Sequence, residues 1–133
     1  MSRPPSTGPT ERELEILQTL WQLGPARLSD ICAALRQQRP VATTTVATML
    51  KVMQGKKLVT RHKAGGGARW AARQGRDATA RALVRDMVDR VFDGSARKLV
   101  SHLVDHGHLS EADRRTIRQL LRNRGKPGAS ERG

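Results

Sequence analysis

The chain has 133 residues, a formal net charge of +13, one cysteine and three aromatic side chains, Trp21, Trp70 and Phe92. A single cysteine excludes an internal disulfide and a cysteine-rich metal site, no apolar run is long enough to cross a bilayer, and the charge points to a polyanionic partner. With so few rings on which bases could stack, single-stranded nucleic acid is a poor match and a duplex read through a groove is favoured.

Both halves carry the charge. Residues 1–75 hold 12 basic and 4 acidic groups, and residues 76–133 hold 13 and 8, so the front is the more cationic. Residues 1–9 (MSRPPSTGP) lack the apolar stretch of a signal peptide, and a soluble cytoplasmic protein is expected. Residues 1–9 and 124–133 are rich in Pro, Gly, Ser and charge, and both are expected to be disordered.

Thr10 followed by Glu13 makes a capping box. It opens a predicted helix with Leu14, Leu17, Leu20 and Trp21 on one face and Ile16 beside them, stopped by Gly24-Pro25. Ser29 is the expected N-cap of a second helix, carrying Ile31, Cys32 and Leu35 to about Gln38. Within that apolar pattern Cys32 is expected to be a small buried hydrophobe. Arg39-Pro40 breaks the chain again. A third helix is predicted from Ala42 to Lys56, with Val46, Met49, Leu50 and Met53 as its buried stripe. Leu58 to His62 reads as a strand, Gly65 to Gly67 as a turn and Ala68 to Ala72 as the returning strand. Helix, helix, helix, hairpin is the order of a winged helix-turn-helix domain.

Beyond Gly75 the pattern is helical throughout. Leu83, Val84, Met87, Val88, Val91 and Phe92 form a wide apolar face. Asp93-Gly94 ends that helix, and Ser95 caps the next, which carries Leu99, Val100, Leu103 and Val104. Ser110 with Asp113 makes a second capping box ahead of Ile117, Leu120 and Leu121. Three short helices with faces this wide cannot bury them alone. Burial in a homodimer is expected, through Leu83, Met87, Val91, Phe92, Leu99, Val100, Leu103, Ile117, Leu120 and Leu121. The alternative is that these helices fold back on the winged-helix domain of a monomer.

The expected fold is therefore mainly α. A winged helix-turn-helix domain with a small β-hairpin wing spans 10–75, and a three-helix dimerisation domain spans 76–123.

The stretch PVATTTVATMLKVM, residues 40–53, is the most informative. With Val46 at the core, a rotation of about 100° per residue places Thr44, Ala47, Thr48 and Lys51 on the opposite side and Thr43 at its N-terminal end. Threonines are weak helix formers and a poor choice for a merely solvated face. Small hydroxyl side chains ending in a lysine suit a major groove, where they can reach base edges, thymine methyls and phosphates. The hairpin adds Arg61, Lys63 and Arg69 around a glycine-rich tip that can follow a phosphate backbone. Trp70 is expected to pack rather than to stack on a base. His102, Asp105, His106 and His108 form the only cluster with ligand chemistry, and His102 and His106, four residues apart on a helix, could share one metal. Histidines near a helix C-terminus also suit its dipole, and no metal or other cofactor is expected. No catalytic constellation is present, so the chain is not read as an enzyme.

TERELEILQTLWQLGPARLSDICAAL and RPVATTTVATMLKVMQGKKLVTRHKAGGGARW, followed by RALVRDMVDRVFDGSARKLVSHLV and LSEADRRTIRQLL, resemble the penicillinase-repressor (BlaI/MecI/CopY) family of winged-helix transcriptional regulators over roughly residues 10–123. The resemblance implies a homodimer on a palindromic operator of double-stranded DNA, with two N-terminal domains in successive major grooves. It implies DNA contacts at Thr43, Thr44, Thr48 and Lys51 of the third helix and at Arg61, Lys63 and Arg69 of the wing. Members cut by a sensor protease read Asn-Phe where this chain has His102-Leu103, and the C-terminal cysteines of copper-responsive members have no counterpart. The family's usual Arg and Gly near the end of the third helix are Val52 and Lys57. A lysine in a left-handed cap costs on the order of 1 kcal/mol, so that helix is expected to finish at Gly55. The leading expectation is sequence-specific repression. The competing ones are an architectural protein coating DNA without sequence preference, and an adaptor that uses its helical tail.

Overall fold

The computed structural model describes residues 8–124. The arms expected to be disordered lie outside the described residues, except for residues 8, 9 and 124. Six helices and one antiparallel hairpin follow in the order α1 (Glu11–Leu23), α2 (Leu28–Arg36), α3 (Thr43–Gly55), β1 (Val59–Ala64), β2 (Gly67–Ala72), α4 (Arg76–Val91), α5 (Ala96–Asp105) and α6 (Glu111–Arg124). The fold is the mainly helical one expected, with the hairpin as a wing. The described residues form two compact units, one up to Val84 and one from Arg85 onward.

Local side-chain caps open α1, α5 and α6. The Thr10 hydroxyl accepts from the Glu13 amide at 3.2 Å, and the Glu13 carboxylate accepts from the Thr10 amide at 2.9 Å, so the capping box opens α1 as expected. Gly24, at φ 76°, closes it with a bond to the Leu20 carbonyl. The start of α2 corrects the sequence expectation. Ser29 lies inside its first turn, and the N-cap is Arg27, which lends no side-chain bond. The cause is a long-range pairing: Ala26 exchanges both backbone hydrogen bonds with Trp70, at 2.9 and 2.7 Å. That pairing holds the chain extended up to Arg27, whose carbonyl accepts from Asp30 and Ile31.

Arg36 fixes the turn between α2 and α3. Its Nε donates to the Val41 carbonyl at 3.0 Å and its guanidinium to the Thr43 hydroxyl at 2.6 Å. Helix α3 ends at Gly55, as expected, with Lys56 right-handed. Lys57 nonetheless takes φ 65°. Its amide donates to Gln54 and that of Leu58 to Met53, which is a Schellman turn with a lysine where glycine fits best. Ending the helix early does not spare Lys57 the left-handed conformation, because the chain must reverse there to enter β1.

The strands pair from Val59↔Ala72 to Ala64↔Gly67, leaving Gly65-Gly66 as the turn. The turn is thus shorter than the three glycines expected, and Gly67 opens β2. Gly66 and Gly67 have φ 91° and 129°, which side chains resist.

The buried apolar core of the described residues lies between Ile16 and Trp70. It joins α1, α2 and α3 to the inner face of the hairpin. Cys32 is buried in it. Trp70 packs, as expected, and Trp21 donates its indole N–H to the Gln74 carbonyl at 2.9 Å. Glu13 is buried and accepts from Lys56 Nζ at 2.6 Å, tying the start of α1 to the end of α3. Burial pushes the Glu13 carboxyl up, but Lys56 and the Thr10 amide outweigh that and hold it below the ordinary carboxylate range.

The second unit is built differently. Ser95 caps α5 through the Lys98 amide, and Ser110 with Asp113 forms a reciprocal box at α6, both as expected. Neither α5 nor α6 buries a residue. Of the apolar residues expected at a dimer face, Leu83, Phe92, Leu99, Leu103 and Ile117 are half-buried. Met87, Val91, Val100, Leu120 and Leu121 are exposed, Val91 at 66% and Leu121 at 69%. Among the described residues, no helix is long and apolar enough to cross a membrane.

Candidate nucleic-acid interface

Helix α3 packs Val46, Leu50 and Met53 inward without exposure. Its periodicity then turns Thr44, Thr48 and Lys51 outward as one exposed stripe, with Ala47 half-buried at its edge. The Thr43 hydroxyl is engaged by Arg36, so that residue serves the start of the helix as well as its outer face. No side chain caps α3, which leaves its first-turn amides open to an anion.

The hairpin register sorts the wing cations by face. Arg61 pairs with Trp70 and Lys63 with Ala68, on the face that carries buried Val59. Arg69 pairs with His62 on the other face. The three cations are therefore split between the two faces of the hairpin, exposed Arg61 and Lys63 on one and half-buried Arg69 on the other, because β1 and β2 alternate strictly about a two-residue turn. The Arg61 guanidinium lies 5.8 Å from the Trp70 ring centroid, a cation–π contact that keeps it over the inner face.

Between α3 and the wing runs a cleft of about 630 Å³, lined by Leu28, Ala47, Lys51, Gln54, Arg61, Ala68 and Trp70. It brings Lys51 and Arg61 to one hollow. A smaller cleft next to Arg61 takes in Lys63, Gly67 and Ala68. Two residues of this surface escaped the sequence reading. Gln54 lies three residues past Lys51, a spacing that could have found it. Arg27 reaches the wing tip: a Cβ on Gly66 would stand 3.0 Å from its guanidinium. No local signal marks Arg27, since its position follows from the Ala26–Trp70 pairing.

The electrostatics of this surface are one-sided. Glu13, Glu15 and the other acidic groups in ion pairs engage Lys56, Arg39, Arg90, Lys98 and Arg118. Among the described residues, Arg27, Lys51, Arg61, Lys63 and Arg69 are in no ion pair, so their charge is available to an outside anion. His102 and His106 are exposed on α5 and its C-cap, within the second unit.

Residues 9–123 match the family model described as penicillinase repressor. None of the curated proteins matches the chain. Among solved structures, an ArsR-like transcriptional regulator from Rhodococcus sp. RHA1 is 24% identical, with 71% of this chain and 80% of that chain covered and a TM-score of 0.44.

Proposed function

The chain belongs to the penicillinase repressor family, whose members are DNA-binding transcriptional regulators, and from that premise we propose that it represses transcription as a cytoplasmic homodimer on a palindromic operator. The observation that carries this reading is the outward stripe of Thr44, Thr48 and Lys51, opposite a fully buried stripe, with Lys51 sharing a cleft with Arg61. The stripe lies in the major groove, where threonine hydroxyls and the lysine meet base edges. Arg61 and Lys63 hold the adjacent backbone, and Arg69 acts from the outer face of the wing. Two domains joined through the tail helices then read half-sites about one helical turn apart.

The dimer is supported by the apolar side chains that α4, α5 and α6 leave uncovered, since a lone chain gains little by displaying them to water. The domain limits that fit this reading are 10–75 for the winged helix and 76–123 for the dimerisation helices.

Lys51→Ala and Thr44→Ala test the base-reading role. Operator sequences are first recovered by selection from random duplexes, and affinity for them is then compared with that for scrambled DNA across salt. The expected result is a loss of about 1–3 kcal/mol on the operator and little change on scrambled DNA. Equal losses on both, with binding that follows DNA length alone, would instead support an architectural protein.

A further inference from the structure

Three of the four histidines fall between residues 102 and 108, and the end of α5 gathers them. His102 and His106 are one turn apart on one face of the helix, with ring centroids separated by 4.3 Å. The chain then reverses in a Schellman turn. Gly107, at φ 72°, donates to Val104, and His108 donates to Leu103 at 3.1 Å. That reversal brings the His108 ring to 6.5 Å from His102, the two planes inclined by only 14°. The Phe92 ring meets His102 edge-on at 5.7 Å. All three histidines are exposed, and among the described residues none of the three imidazoles hydrogen-bonds or ion-pairs with another side chain.

We propose that His102 and His106 chelate a divalent transition-metal ion, with His108 as the third donor and water completing the shell. Among the described residues no three donor groups are already placed to hold an ion, so the exposed rings turn about their side-chain bonds to meet it. An all-imidazole donor set selects borderline ions and follows the order in which Cu²⁺ binds more tightly than Ni²⁺ or Zn²⁺. Mg²⁺ and Ca²⁺, which require oxygen ligands, are excluded. Two rings fixed on one turn act as a single bidentate donor, because the second binds at the high effective concentration set by the first. The favourable placement of histidine beside a helix C-terminus explains its presence there without any metal, and it predicts no affinity for one.

The test uses the full-length protein stripped with a chelator and titrated with Cu²⁺, Zn²⁺ and Mg²⁺ by calorimetry. Electron paramagnetic resonance of the Cu²⁺ form reads the nitrogen ligands. One Cu²⁺ per chain, weaker Zn²⁺ binding and no Mg²⁺ binding are expected. His102→Gln and His106→Gln each weaken Cu²⁺ binding by on the order of a hundredfold, while His62→Gln leaves it unchanged. All these side chains are exposed, so the variants should keep the wild-type circular dichroism. Unchanged affinity in the His102→Gln/His106→Gln double variant overturns the site. Unchanged affinity in His108→Gln overturns its place as third donor.

Discussion

Replacing Lys57 with glycine should make the first unit more stable, although the exchange removes a whole side chain. Lys57 stands at φ 65° in the Schellman turn that ends α3, and a left-handed backbone costs a residue with a Cβ about 1–2 kcal/mol. Glycine removes that cost but adds about 0.4–1 kcal/mol of unfolded-state entropy. The net gain is on the order of 0.5–1 kcal/mol. Both tryptophans belong to the first unit, so their fluorescence in a urea titration follows that unit. With a urea dependence of about 1–3 kcal/mol per molar, the midpoint should rise by roughly half a molar at fixed protein concentration. Lys57→Ala is the control, because it deletes the charge and the long side chain yet keeps the Cβ. A Lys57→Gly protein no more stable than Lys57→Ala would refute the reasoning, since the turn would then cost nothing that glycine relieves.

Three further outcomes follow from the same structure. Glu13→Gln should cost about 1–3 kcal/mol at neutral pH, as expected for a disrupted buried hydrogen-bonded group. The folded carboxyl is held below its ordinary value, so its contribution is complete above the unfolded value of about 4.3 and is lost as pH falls through the lowered one. The gap between wild type and variant should accordingly narrow in acid in urea titrations run from pH 7 to pH 3, and a constant gap would contradict the linkage. Arg61→Ala should weaken duplex binding by about tenfold and reduce the salt slope by about one, whereas Arg69→Ala, on the outer face, should lose less. Anisotropy titrations across salt decide this, equal losses counting against the split of the wing. Leu121→Glu would bury an unpaired charge at the proposed dimer face, a cost of about 3 kcal/mol and thus on the order of a hundredfold in the dimer constant. Sedimentation measures that change, while tryptophan-monitored unfolding of the first unit should stay as in the wild type.

Features set by neighbours in sequence were legible in the chain. Thr10 with Glu13, Ser110 with Asp113, and Ser95 ahead of α5 cap their helices through bonds spanning three residues, and spacing alone reveals them. The exposed stripe of α3 is equally legible, because the buried positions Val46, Leu50 and Met53 leave Thr44, Thr48 and Lys51 one direction to face. What escaped notice depends on residues far apart. The Ala26–Trp70 pairing moves the start of α2 ahead of Ser29 and delivers Arg27 to the wing tip. The faces of Arg61 and Arg69 depend on hairpin register, which three consecutive glycines leave undetermined. Lys57 is left-handed because the route from α3 into β1 demands it, against the preference of the residue itself.

The backbone bonds that link Ala26 to Trp70 have one more effect. They occupy part of the outer edge of β2, so the free rim of the hairpin lies mainly along β1, six residues long and bearing Arg61, His62 and Lys63. A short, charged rim is a poor template for a neighbouring molecule's strand. The positive charges on the wing therefore also repel other copies of the protein, and this helps keep a crowded population from joining edge to edge.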